Sequence, residues 1–299
     1  ETKEVFDKTD PDQFGNSINY KICRFEFDEI ELIGDLEIEV KGKNALEIVT
    51  TSGDILWGVD LEISGKSADG ENGGKPGPGG FSGGEVGGRG IGPGGGLGGV
   101  LPGGGGHGGG GSRATSTSGQ PYGDGSITHL LGGSGGGGYT VDSGGAGGGG
   151  ALRLVSSGHL KLISSIRALG GSGTGGSAGG AGGSVHLKAN TLALGTNSLI
   201  DVSGGVNGGA AGRIYLESST SLENSGFDNL LAKGGEGAVS GTSGSVRYLR
   251  PANLYDLDLQ SGTLTIDTDA ATITHSNGSV AFGQISDNFY KDDNGAFWP

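Results

Sequence analysis

Runs of glycine narrow what this chain can become more than any other feature. Segments such as Gly103 to Gly106 and Gly147 to Gly150 carry no side chain at all, and 72 of the 299 residues are glycine, where an ordinary domain has about 7%. Each glycine loses more backbone entropy on folding than any other residue and brings nothing to bury, so a conventional packed core is harder to stabilise. Cohesion has to come from another source. A collagen triple helix is excluded, because consecutive glycines break its Gly-X-Y period and only 8 prolines are present. A flexible linker is a low-complexity Gly/Ser tract, whereas these runs are interrupted by Val86, Ile91, Leu97, Val100, Leu101 and Tyr139. The interruptions favour an ordered solution over a linker. In it, polyglycine II helices of three residues per turn approach closely enough to hydrogen-bond to one another.

Outside the runs, apolar and polar residues alternate. Phe25 and Phe27, Ile30 and Leu32, Leu36, Ile38 and Val40, Leu46 and Ile48, and Leu61 and Ile63 follow a period of two, which predicts short strands with one buried face. The opposite face carries Glu26, Asp28, Glu31, Glu37, Glu39 and Glu47, a charged exterior of the kind that keeps exposed sheets from associating. No stretch of a dozen residues has a helical period.

After Gly150 a repeat emerges. Ala151-Leu-Arg-Leu-Val, Ser184-Val-His-Leu-Lys, Arg213-Ile-Tyr-Leu-Glu and Ser245-Val-Arg-Tyr-Leu each follow a glycine cluster and recur at about 30 residues. Each leads to a second short strand, at Leu160, Leu192, Leu230 and Leu257, and Leu46-Glu-Ile-Val to Leu61-Glu-Ile-Ser-Gly reads as an earlier copy. Such a period signals units that bury their apolar faces only by stacking. The expected fold class is all-β, a parallel β-helix or solenoid with glycine-rich, polyglycine II-like inserted stretches. The expected organisation is N-terminal strands and a first coil over residues 1–69, a glycine-rich insertion over 70–150, repeated coils over 151–250, and a strand-rich cap over 251–299. That cap includes Leu264-Thr-Ile-Asp, Thr272-Ile-Thr and Val280-Ala-Phe.

The segments Gly179 to Ala189 (Gly-Gly-Ala-Gly-Gly-Ser-Val-His-Leu-Lys-Ala) and Leu199 to Gly205 (Leu-Ile-Asp-Val-Ser-Gly-Gly) resemble the glycine-rich repeats of large secreted microbial surface proteins. The resemblance covers about residues 42 to 250. It implies parallel β-helices related to the pectin-lyase-like and haemagglutinin-type solenoids. The glycine runs also look like the polyglycine II bundles of the snow-flea antifreeze protein and of glycine-rich phage tail-fibre adhesins. No functional residue carries over by position.

The formal net charge is −14, from 33 acidic and 19 basic residues, which argues against a nucleic-acid partner. Cys23 is the single cysteine, so neither an internal disulfide nor a cysteine metal pair is expected. No apolar run reaches the ~20 residues of a membrane span. The chain begins at Glu1 with no signal-peptide pattern, which reads as a mature or excised segment.

Pectin-lyase-like folds include lyases and glycosidases, and paired carboxylates are what glycoside hydrolysis requires. Asp256/Asp258 and Asp267/Asp269 lie two apart on strand-like segments, which puts each pair on one face. Exposed strands display such pairs without catalysis, and no Arg, Lys or His cluster flanks them. Calcium favours clustered oxygens, as at Asp7, Asp10 and Asp12 in an apparent short loop, or at Asp287, Asp292, Asp293 and Asn294. Neither matches an EF-hand, and solvated turns explain both. His107 and His129 read as exposed histidines. Asn277-Gly-Ser is a glycosylation sequon only in a secreted eukaryotic protein and otherwise a turn. Tyr122, Tyr139, Phe81 and Trp298 are candidates to stack on sugars, while Trp57 reads as core. No catalytic, cofactor-binding or metal-binding residue is assigned.

The expected function is therefore an extracellular or cell-surface structural or adhesive element, not an enzyme. Its partners would be copies of itself, a cell surface or a matrix, with Val5 to Phe14 as a candidate segment for strand addition. Polysaccharide binding or cleavage is the alternative, and ice binding through Thr263, Thr265, Thr272 and Thr274 a third reading.

Overall fold

A computed structural model of the chain describes residues 2–11, 17–112, 117–224, 229–237 and 240–249, and four short strands beyond them. In chain order the strands are β1 (Thr2–Pro11), β2 (Ser17–Phe27), β3 (Ile30–Leu32), β4 (Ala45–Thr50), β5 (Ile55–Trp57), β6 (Leu61–Glu62), β7 (Ala151–Ser156), β8 (His159–Leu162), β9 (Ser165–Arg167), β10 (Ser184–Leu194), β11 (Leu199–Asp201), β12 (Arg213–Asn224), β13 (Leu230–Leu231) and β14 (Ser245–Leu249). Two antiparallel pairs follow, β15 (Leu264–Asp267) with β16 (Thr272–His275), and β17 (Tyr290–Lys291) with β18 (Phe297–Trp298). The described residues form no α-helix.

The repeat becomes parallel pairing. Leu46 stands beside Leu152, Leu152 beside Val185, Val185 beside Ile214, and Ile214 beside Val246. A second row joins Ile55, Leu160 and Leu192, and a third joins Leu61, Ile166, Ile200 and Leu230. These side chains are buried together with Trp57, Leu154, Leu162, Leu187 and Leu216 in one core. Each buried leucine or isoleucine contributes about 1.5–3 kcal/mol, so register is set by keeping every apolar row inward. Trp57 is 1% exposed, and its indole Nε1 donates to the Val59 carbonyl at 2.9 Å.

The strands do not close into the parallel β-helix or solenoid expected from the repeat. They form a curled, half-barrel ten-stranded sheet A and a separate four-stranded sheet B of β6, β9, β11 and β13. Sheet A curls at β10, whose register shifts between Ala189 and Thr191. Its first half pairs with β7 and its second with β8. Beyond sheet B the chain passes into glycine segments that pair as neither strand nor helix, so no further sheet closes the turn.

Those segments bond with a different period. Gly144, Gly147 and Gly150 donate to the carbonyls of Gly70, Lys66 and Ile63, while Gly145, Gly148 and Ala151 donate to Gly84, Phe81 and Pro78. Ala146 and Gly149 donate in a third direction, to Ala178 and Ala181. Rotation through three directions is the geometry of a polyglycine II helix, whereas a strand alternates between two sides. Close approach requires glycine here: a Cβ on Gly183 would stand 1.8 Å from the Gly150 carbonyl oxygen, and one on Gly148 1.9 Å from that of Gly133. The hydrogen bonds, each worth about 1 kcal/mol net, offset the entropy that glycine loses.

The described segments within residues 70–150 thus pack as a lattice against the turns that flank them in sequence and against Gly208, Ala210, Ala211 and Thr242, with β4, β5 and β6 stacked on β7, β8 and β9. Residues 2–11, expected in part as a free adhesive segment, pair antiparallel with β2 at the edge of sheet A. Asp7 and Asp10 therefore lie on a strand and not in a loop; Asp12 and Phe14 are outside the described residues.

Candidate functional site

The pairing that builds the core also builds a row on the other face of sheet A. Arg24 stands beside Glu47, Glu47 beside Arg153, Arg153 beside His186, His186 beside Tyr215, and Tyr215 beside Arg247. Strands alternate their faces, so Arg153 points outward because Leu152 and Leu154 point in. Glu47, read from sequence as part of a solvated acidic face, is 8% exposed. Arg153 donates to Glu47 Oε1 at 3.1 Å through one terminal nitrogen, to the Ile127 carbonyl at 2.7 Å through the other, and to His186 Nδ1 at 3.0 Å through Nε.

Because a guanidinium only donates, His186 Nδ1 must accept, which assigns the ring proton to Nε2. Nε2 faces Glu217 Oε2 at 3.3 Å, and Lys188 Nζ lies 2.7 Å from Glu217 Oε1. Burial first, then Arg153 and Lys188, lower the imidazole pKa against the opposing pull of Glu217. Hydrogen bonding from His186, aided by Lys188, brings the Glu217 carboxyl down to about 2. The His186 and Tyr215 rings are 4.7 Å apart, and the Arg247 guanidinium lies 5.8 Å from the Tyr215 centroid.

Residues 121–131 cross this row as a strap. Ile127, Leu130 and Leu131 are buried with Tyr20, Ile22, Ala45, Ala151 and Tyr215. Polar contacts fasten the strap along its length: Arg213 donates to the Tyr122 carbonyl at 2.9 Å, Ser184 Oγ to the Leu131 carbonyl at 2.7 Å, and Arg247 to Ser126 Oγ. Where the strap meets the glycine lattice sits His107. Read from sequence as exposed, it is 2% exposed. Its Nδ1 donates to the Gly182 carbonyl at 2.7 Å, Nε2 faces Ser184 Oγ at 3.3 Å, and its ring is 4.8 Å from that of Tyr122. Burial, and then the nearby Arg213 charge, lower its pKa to about 3. Burial also raises the Tyr122 phenol, which donates to the Gly132 carbonyl.

Beside Lys188 and Glu217 the bulge of β10 opens a cleft of about 330 Å³ that includes Asn190, Ser219 and Leu249. Among the described residues Glu217 is its one lining carboxylate. Hydrolysis by a carboxylate pair needs a second, and an acid with a raised pKa; the Glu217 shift is in the opposite direction.

The other residues singled out from sequence scatter. His129 is exposed, and Tyr139 and Phe81 are half-buried in the lattice. Asp256, Asp258, Asp269, Asn277, Asp287, Asp292, Asp293, Asn294 and Thr263 are outside the described residues, and Asp267, Thr265, Thr272, Thr274 and Trp298 are placed only as members of short strands. Among the described residues no group of three or more His, Cys, Asp or Glu side chains is placed to hold a metal, and no helix is long and apolar enough to cross a membrane. The row was partly legible, since Arg153, His186, Tyr215 and Arg247 occupy the same place in each repeat. The strap carried no periodic signal. Compared with known proteins, the chain matches no family model, no curated protein and no solved structure.

Proposed function

We propose that this chain is a non-catalytic structural or adhesive element of an extracellular or cell-surface assembly. The observation that supports this reading is the three-directional hydrogen bonding from Gly144 to Ala151, which ties one segment to neighbours at Ile63 to Gly70, Pro78 to Gly84 and Ala178 to Ala181. A lattice of that kind is a stiff block whose cohesion resides in backbone contacts. The charged side chains of the row beside it are engaged with one another and with the strap, an arrangement suited to holding shape. At its turns the lattice exposes apolar side chains, including Val100 and Val141, where contact with other molecules is available.

Sedimentation velocity across a wide concentration range, with electron microscopy of the same samples, tests the reading. Concentration-dependent oligomers or filaments support it, and a strict monomer at high concentration removes the self-assembling version. The cleft beside Lys188 and Glu217 favours polysaccharide binding as the second reading. Retention on a panel of neutral and acidic polysaccharides tests that, and release of reducing ends would turn it into catalysis.

A further inference from the structure

We propose that residues 121–131 form an acid-released cover, latched over the outer face of sheet A while His107 and His186 are neutral and detached when they take up protons. This goes beyond the structural role proposed above and does not depend on it.

The latch combines the buried side chains of Ile127, Leu130 and Leu131 with polar contacts from the sheet. Arg153, Arg213 and Arg247 reach the strap from β7, β12 and β14, and Ser184 from β10. The Tyr122 amide donates to the His107 carbonyl at 3.0 Å. The strap is also strained. Ile127 has φ of 48°, a left-handed conformation that is a strained outlier for a β-branched side chain. Burial of its side chain and the Arg153 bond to its carbonyl hold it there.

Both histidines are placed to break the latch. Around His107 stand Tyr122 on the strap, Ser184 on β10, and Arg213 on β12, with the Gly182 carbonyl on Nδ1. No carboxylate is among the groups that act on it, so a second proton on its ring is buried beside a guanidinium. Around His186 stand Arg153 on β7, Lys188 on β10, and Glu217 and Tyr215 on β12. Protonating its Nδ1 sets two donors against each other and displaces Arg153, the same guanidinium that holds Ile127. Release of the strap returns His107 to water and uncovers the arginine row on a chain whose net charge is −14.

With the covered His107 pKa at about 3 against an ordinary 6.5, the open state gains about tenfold per pH unit between those values. Hydrogen exchange with mass spectrometry, corrected for intrinsic exchange at each pH, reads this directly on the intact chain. Between pH 7.5 and 4.5 the protection of strap amides such as Tyr122, Ile127 and Leu131 should fall by about a hundredfold, and throughout that range it should stay below the protection of the β7 and β10 amides, which exchange only when the sheet itself unfolds. His107→Asn retains a donor for the Gly182 carbonyl but cannot titrate, and should cut the loss at least tenfold. Should that variant not fold, NMR titration of histidine ring signals in the unaltered chain decides, because His107 must protonate over the interval in which the strap loses protection. Strap amides as protected as those of β7 and β10, a strap unaffected by acid, an unchanged loss in the variant, or a strap that opens while His107 stays neutral would each overturn the proposal.

Discussion

Arg153 and His186 meet across neighbouring strands, the guanidinium Nε donating to the imidazole Nδ1 over 3.0 Å. Burial, with the Arg153 charge beside it, favours the neutral imidazole against the pull of Glu217, and the ring bridges a buried pair, Arg153 with Glu47, and an outer pair, Lys188 with Glu217.

Stability should depend on pH with one sign. His107 and His186 have folded-state values below the ordinary 6.5, so the unfolded chain binds their protons first and stability is lost as pH falls below 6.5. For His107 the loss continues down to about 3, at up to ~1.4 kcal/mol per pH unit. Glu217, lowered from 4.5 to about 2, adds stability above 4.5 that disappears toward 2. Thermal melts should show a plateau above pH 7 and a decline from pH 6.5 to 4; a flat profile over that interval would contradict the buried state of both histidines.

Removing one end of the inner pair should cost more than removing both. Arg153→Met leaves Glu47 buried without its 3.1 Å partner and the Ile127 carbonyl without its 2.7 Å donor, and should destabilise by about 2–4 kcal/mol. Adding Glu47→Gln should recover part of that loss. Urea denaturation of both single variants and the double variant gives the coupling, and strictly additive losses would mean the pair does not interact.

Glycines of the lattice should divide by the space around them. A Cβ on Gly212 would lie 1.8 Å from the Gly183 carbonyl oxygen, whereas on Gly110 the nearest atom is 3.8 Å away. Gly212→Ala should cost more than about 3 kcal/mol or prevent folding. Gly110→Ala should stay within about 1 kcal/mol of the original. Equal tolerance at both sites, measured by chemical denaturation and soluble yield, would argue against close packing of these segments.

Leu187 and Val141 offer a matched pair of truncations. Leu187 is fully buried between its partners Leu154 and Leu216, while Val141 is 66% exposed on a lattice turn. Leu187→Ala should cost about 2–5 kcal/mol and Val141→Ala under about 0.5 kcal/mol. If Val141 mediates contact between copies, its substitution should instead weaken assembly in sedimentation experiments.

Alternation alone determined which residues of each strand face inward. Leu152 and Leu154, Val185 and Leu187, Ile214 and Leu216 are legible as buried rows, because a period of two is a local property that any window of residues displays. The recurrence after Gly150 likewise determined that these segments pair in parallel. What the strands enclose was decided only in three dimensions. A glycine backbone has no side chains to distinguish one neighbour from another, so whether Gly144 to Ala151 would add to a sheet or bond in three directions depends on which segments arrive beside it. They arrive in three directions, and the expected solenoid does not close. The same reason hid the strap and His107: a histidine within glycines reads as exposed until residues distant in sequence, here Tyr122, Ser184 and Arg213, are folded around it.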